Sequence, residues 1–323
     1  MSDLLSIGVD VGGTRLKAGL VDQGGAVLAT ARRDTPGRSA PPAVLEEALL
    51  DLVGELRSVA SATGRRAASV GVAVAGLVDA ARGIVVFAPH LPWREEPLRE
   101  RLAAGLDLPV VVDNDANAAA WAEHRFGAGR GETHLLLLTL GTGIGGAVLT
   151  EGRLQRGRHG LAGELGHVQV VPDGRPCPCG NRGCWEQYVS GTVLRRDGQE
   201  LVRRGGADAA ALSEACDGDP GRLSGDDLTR LAREGDPASR AVLGAAGRWL
   251  GTGLAGAVAT LDPGTVVVGG GLSEAGDLLL DPARATLAQH LLGRGHRPVP
   301  PVVPAALGVG AGLVGAADLA RSP

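Results

Sequence analysis

The chain of 323 residues is nearly without lysine, which occurs once, at Lys17. Arginine carries the remaining positive charge, so arginine pairs such as Arg195-Arg196 reflect a compositional bias rather than a function. The formal net charge is −4, which argues against a nucleic-acid partner held through a large basic surface. No apolar run approaches the roughly 18 residues of a membrane span. No basic n-region precedes the first strand-like segment, so a secretory leader is not expected. Four cysteines are too few to scaffold a chain of this length, and a reducing cytoplasm is the expected compartment. G-x-x-x-x-G-K-[ST] is also missing, which sets P-loop chemistry aside.

What is present is an α/β pattern that occurs twice. Leu4 to Asp10 reads as a strand, Gly12-Gly13-Thr14 as its turn, and Leu16 to Val21 as the return. Apolar spacing from Pro42 to Thr63 predicts a helix, Ser69–Ala75 and Leu108–Val112 predict buried strands, and Ala116–Phe126 a helix. Thr133–Leu140 then begins the order again, with a turn at Gly141 to Gly146 and a short return strand. Helices dominate Glu186–Leu261, a buried strand follows at Thr265–Val268, and Val309–Ala320 is the last helix. Two related α/β domains facing a cleft are expected: a smaller one of residues 1–114 plus 309–323, and a larger one of 115–308.

The glycine turns suit phosphate. Glycine lets backbone N–H groups approach and line an anion nest, Thr14 adds a hydroxyl, and Lys17 a point charge. Asp10 is placed to hold Mg²⁺ through water. A tight hairpin with a capping acid would show the same residues. The second turn, LGTGIGGAV, matches G-x-G-x-x-G at Gly141, Gly143 and Gly146, with Thr142 between. A dinucleotide fingerprint needs a helix directly after it, and here a strand follows, so a dehydrogenase is disfavoured.

His167, Cys177, Cys179 and Cys184 fall within 18 residues rich in glycine and proline. Three thiolates and one imidazole complete a tetrahedral zinc site with no open position, which is structural rather than catalytic. Reduced, unliganded thiols or a disulfide with one thiol left over would use the same residues. Cys216 stands apart as an ordinary thiol. Asn114 and Asp115 lie between a strand and a helix. Either caps a helix well, but a carboxylate kept ionised by the helix dipole at a strand end can also take a hydroxyl proton. Glu164 and Glu186 flank the cysteine–histidine block, so a bound metal would fix both.

These residues together resemble the ROK family of bacterial sugar kinases and repressors, and most of all its zinc-containing glucokinases. The matching segments are DVGGTRLKAG, VAGLVDAARG, FAPHLPW, DNDANAAAWAE, LGTGIGGA, GELGHV, CPCGNRGCWEQY and VVVGGGLSE. The resemblance implies an actin-like ATPase (ribonuclease H-like) duplicated fold with MgATP in an interdomain cleft. It implies Asp115 as catalytic base and sugar contacts from Gly76, Asn114, Asp115, Glu164, His167 and Glu186. It implies nucleotide contacts from Asp10, Gly12, Gly13, Thr14, Lys17, Gly141, Thr142 and Gly143, with Gly269, Gly270 and Gly271 near the adenosine. Zinc would sit on His167, Cys177, Cys179 and Cys184. The expected substrate is a hexose, D-glucose first; N-acetylmannosamine, N-acetylglucosamine, fructose, allose, or polyphosphate as donor remain alternatives, as does a sensing regulator without catalysis. A homodimer or homotetramer is implied. His90 stands where the family usually has Asn, near the sugar loop. The repressor branch carries a winged helix ahead of the first hairpin, and only nine residues precede Asp10 here.

Overall fold

A computed structural model describes residues 4–321. In chain order the elements are β1 (Leu4–Val11), β2 (Arg15–Val21), β3 (Val27–Asp34), α1 (Pro42–Ala62), β4 (Arg66–Val74), β5 (Leu77–Asp79), β6 (Ile84–Phe87), β7 (Arg94–Glu96), α2 (Leu98–Leu106), β8 (Val110–Asn114) and α3 (Asp115–Phe126). Then come β9 (Leu135–Leu140), β10 (Ile144–Thr150), β11 (Arg153–Leu154), α4 (Gly191–Arg204), α5 (Ala210–Ala215), α6 (Gly225–Glu234), α7 (Pro237–Leu261), β12 (Thr265–Gly269), α8 (Asp277–His290), β13 (Val302–Pro304) and α9 (Ala311–Leu319).

The expected repetition is visible in the sheets. One has the order β3-β2-β1-β4-β8 and the other β11-β10-β9-β12-β13, so each runs third, second, first, fourth, fifth in its own chain order. In the first, β1–β2 and β2–β3 are antiparallel while β1–β4 and β4–β8 are parallel. A third, three-stranded sheet, β5-β6-β7, has no counterpart in the sequence-based expectation. Its strands are three or four residues long, too short for alternation to stand out.

The chain divides into two compact units. One runs to Leu137, includes Ala147–Gly163 and resumes at Ala306; the other comprises Leu138–Gly146 and Glu164–Ala305. The boundary expected between Asn114 and Asp115 lies inside the first unit, because α3 packs along α9 there. Glycine makes that packing possible: a Cβ at Gly315 of α9 would lie 1.7 Å from the Ala118 carbonyl oxygen of α3. The same helix also lies directly on the sheet. A Cβ at Gly8 or Gly71 would lie 1.8 Å from the carbonyl oxygen of Leu313 or Ala316, respectively. The core of the first unit is aliphatic, with Ile7, Val9, Leu45, Leu52, Val72 and Val112 fully or almost fully buried, and Trp93 the largest side chain among them. No helix among the described residues is long and apolar enough to cross a membrane.

Candidate functional site

In the first unit, the β1–β2 hairpin is closed by the Gly12 N–H donating to the Arg15 carbonyl at 3.1 Å. Antiparallel register pairs Asp10 with Lys17, so the carboxylate and the lone lysine occupy one rung of the ladder. Burial raises the Asp10 carboxyl above the usual aspartate range, and the Lys17 ammonium partly pulls it back. Thr35, which nothing in the sequence singles out, braces the turn. Its hydroxyl donates to the Gly12 carbonyl at 2.7 Å and its N–H to the Thr14 carbonyl at 3.0 Å.

At the β8–α3 junction Asn114 caps the helix, with Oδ1 accepting from the N–H groups of Ala116 at 2.8 Å and Asn117 at 3.1 Å. Its amide does more than cap: Nδ2 donates to the Gly76 carbonyl at 3.0 Å, which ties the β4–β5 loop to the strand end. Asp115, the first residue of α3, has its Oδ1 2.9 Å from the Ala116 N–H. Gly76 leaves no room for a side chain, since a Cβ would lie 2.5 Å from the Phe87 carbonyl oxygen. A Cβ at Gly13 would likewise meet the His90 Cβ at 2.8 Å. The Phe87–His90 segment therefore lies close to both the β1–β2 hairpin and the Gly76 loop. Asp10, Gly12, Gly13, Thr14, Lys17, Gly76, Asn114 and Asp115 all belong to this unit.

In the second unit, the Gly141–Gly143 turn closes with an N–H to carbonyl bond of 3.0 Å between those two residues. The Gly191 N–H donates to Gly141 at 2.7 Å and the Thr192 hydroxyl to the Thr142 carbonyl at 2.8 Å, so the start of α4 lies against the turn. Sequence reasoning missed Gly191 and Thr192; their only local sign is the helix cap Ser190 before them. Gly270 has φ +84°, and a Cβ there would lie 2.4 Å from the Leu140 carbonyl oxygen, so the Gly269–Gly271 loop reaches the same turn. Glu186 reaches it as well, with Oε2 2.5 Å from where a Gly143 Cβ would stand.

The four sequence-proposed metal ligands converge, with ligand atoms within 4.8 Å of one another. Cys179 Sγ and Cys184 Sγ are 3.6 Å apart, and Cys177 Sγ and His167 Nδ1 are 3.8 Å apart. Zinc–sulfur bonds of about 2.3 Å and zinc–nitrogen bonds of about 2.0 Å give tetrahedral edges of roughly 3.8 Å and 3.5 Å. These two pairs match zinc edges to within a few tenths of an ångström, and the donor types suit zinc. All four cysteines of the chain are free thiols, so the disulfide alternative does not describe this loop. Cys216 is buried apart, its thiol donating to Leu212. Burial pushes the Cys177 and Cys184 thiols upward. Glu186 Oε1 accepts from the Cys177 thiol at 3.1 Å and lies 3.7 Å from His167 Nδ1. Burial also raises Glu164, which the His167 imidazole counters and the Glu186 carboxylate reinforces.

Two sheets of one topology, each with a glycine turn at its first hairpin, define an actin-like ATPase fold. The chain belongs to the ROK family, whose family model matches residues 6–322. It is similar to a glucokinase of Streptomyces coelicolor, 44% identical over 99% of this chain and 98% of that protein. A glucokinase of Thermotoga maritima is 37% identical over 90% of each chain. Among solved structures it resembles a ROK family glucokinase from Streptomyces griseus in complex with glucose and AMPPNP. That match has a TM-score of 0.88 and 44% identity, covering 99% of this chain and 100% of that one.

Proposed function

We propose that this protein is an ATP-dependent glucokinase that phosphorylates the 6-hydroxyl of D-glucose. The observation that carries the reading is the β8–α3 junction, where one asparagine caps the helix, holds the Gly76 loop and stands beside a carboxylate. The likeness to glucokinases over the whole chain supports it.

In this reading Asp115 accepts the 6-hydroxyl proton as that oxygen bonds to the γ-phosphorus of ATP and the bond to the β-phosphate oxygen breaks, releasing ADP. Asn114 orients neighbouring sugar hydroxyls, and Gly76 lines the sugar loop. Glu164, His167 and Glu186 supply acceptors and a ring nitrogen to the vicinal diols. The N–H groups at Gly12, Gly13 and Thr14 and at Gly141, Thr142 and Gly143 face the phosphates, with Lys17 as a point charge. Asp10 would hold Mg²⁺, which neutralises phosphate charge when bound. Gly269, Gly270 and Gly271 lie along the adenosine. Zinc on His167, Cys177, Cys179 and Cys184 orders the loop that presents Glu164 and Glu186. The protein works as a homodimer or homotetramer in the cytoplasm, without a nucleic-acid partner.

ADP release measured across a panel of hexoses, with ATP and with polyphosphate, tests the reading. Glucose with ATP should give the highest kcat/KM. Asp115→Asn should lower kcat by about 10²–10⁴-fold while glucose still binds; near-normal turnover in that variant would remove Asp115 as the base.

A further inference from the structure

Asp113, one residue before the capping asparagine, is a carboxylate with 2% of its side chain exposed. Both of its oxygens are fully used. Oδ1 accepts from the Asn114 backbone N–H at 2.8 Å and from Asn117 Nδ2 at 3.0 Å. Oδ2 accepts from Arg156 Nε at 2.9 Å and Nη2 at 2.5 Å. Four donors on a carboxylate with about four lone-pair sites leave it one orientation.

Arg156 stands on the segment after β11, whose side chain remains 32% exposed. That segment folds back on itself, with the Ala162 N–H donating to the Arg156 carbonyl at 3.1 Å. At Gly160, φ +76°, a Cβ would lie 2.7 Å from the Val78 carbonyl oxygen, so the segment rests on β5. β5 begins directly after Gly76, and Gly76 is the residue that Asn114 holds. The contacts form a closed ring within one unit, from Asp113 through Arg156 and Gly160 to Val78, back through Gly76 and Asn114. An ion pair is a poor choice for stability alone, because well-packed apolar residues usually serve a buried site as well or better. What a four-donor carboxylate supplies that apolar packing does not is direction.

We propose that Asp113 and Arg156 are a positioning pair for the catalytic junction, fixing the peptide that leads into Asp115 and the loop that carries Gly76. Neither residue touches substrate. The proposal rests on the kinase reading above and assigns these residues a role in kcat rather than in nucleotide binding. A displacement of about 1 Å at the reacting groups can cost roughly a hundredfold in rate.

The test compares Asp113→Asn, Arg156→Ala and Arg156→Lys with the parent in glucose-dependent ADP release. Folding is checked by circular dichroism at the assay temperature. Asp113→Asn and Arg156→Ala should each lose about a hundredfold in kcat with KM for ATP within about twofold of the parent. Arg156→Lys should fall between, since an ammonium restores charge but not the two-pronged contact. Millimolar guanidinium should restore part of the kcat of Arg156→Ala and leave Asp115→Asn unchanged. The pair is overturned if Asp113→Asn and Arg156→Ala stay within about threefold of the parent, or lose activity only in proportion to the unfolded fraction. An active parent with unaffected variants sinks the pair alone. A parent that releases no ADP with any hexose sinks the kinase reading, and the pair with it.

Discussion

Stripping metal from the His167–Cys177–Cys179–Cys184 loop should destabilise the protein by a measurable and reversible amount. The four ligand atoms already lie within 4.8 Å of one another, two pairs of them within a few tenths of an ångström of tetrahedral zinc edges, so only a small rearrangement opposes binding. The rest of the loop is held by hydrogen bonds between its own segments, such as the Cys177 N–H to Asn181 and the Gly183 N–H to Arg175, and by isolated bridges of Gln169 with Cys184 and Pro176 with Arg182 rather than by a longer strand. A ligand present at a thousand times its Kd stabilises the folded state by about 4 kcal/mol. For a unit of about 150 to 250 residues each kcal/mol moves Tm by roughly 2–4 °C, which predicts a fall of about 8–16 °C on chelation. Scanning calorimetry before and after dialysis against a chelator, then after adding zinc, reads this directly. The affinity should also depend on pH. Burial holds Cys177 and Cys184 above the ordinary thiol range, so both are protonated without metal at neutral pH and must release protons to bind. Two released protons weaken zinc binding by about a hundredfold for each pH unit lost between about pH 8 and 6. A Tm that moves by less than about 2 °C on chelation, with less than about one zinc per chain by elemental analysis, would refute the reasoning.

Asp10→Asn should abolish ATP-dependent turnover yet raise Tm at neutral pH, by roughly 2–4 °C for each kcal/mol relieved. The sign follows from burial: a carboxyl whose folded pKa is raised contributes stability below its unfolded pKa and loses it as pH rises through the folded value. The gain should therefore vanish near pH 3.5, and a variant no more stable than the parent at pH 7 would contradict it. Gly13→Ala should raise KM for ATP about tenfold, because its Cβ meets the His90 Cβ at 2.8 Å. Adding His90→Gly removes that atom and should recover most of the loss, a coupling of about 0.5–3 kcal/mol in a double-mutant cycle; additive effects would show that the hairpin and the His90 segment do not press on each other.

Much of the candidate site could be put forward from the sequence because its chemistry is local. Gly12-Gly13-Thr14, Asn114-Asp115 and the cysteine block each sit within a few residues, and glycine, caps and ligand spacing speak at that range. The doubled strand–turn–strand order was legible for the same reason. What stayed hidden depends on long-range pairing. Arg156 is one arginine among many until Asp113, 43 residues away, is seen to receive it. Thr35 reads as a loop threonine until its hydroxyl is placed on Gly12, 23 residues earlier. Thr192 and Gly191 join the second turn only because α4 starts there, 50 residues after it. The division of the chain was hidden likewise, since α3 belongs with a helix almost two hundred residues later, joined by the Trp121–Asp318 bond across 197 positions.

That late helix has a consequence for how the protein is made. Gly8 and Gly71 are bare so that Leu313 and Ala316 can lie against them, which means β1 and β4 leave the ribosome well before the helix that packs on them. Until α9 emerges, β1 and β4 present an apolar, ungrooved face with nothing to cover it, and contacts this far apart in sequence close slowly. The hairpin that would bind ATP is therefore synthesised long before the helix beneath its sheet is in place. A chain cut short of Ala311 would carry the Gly12–Thr14 turn without the helix that lies against β1 and β4.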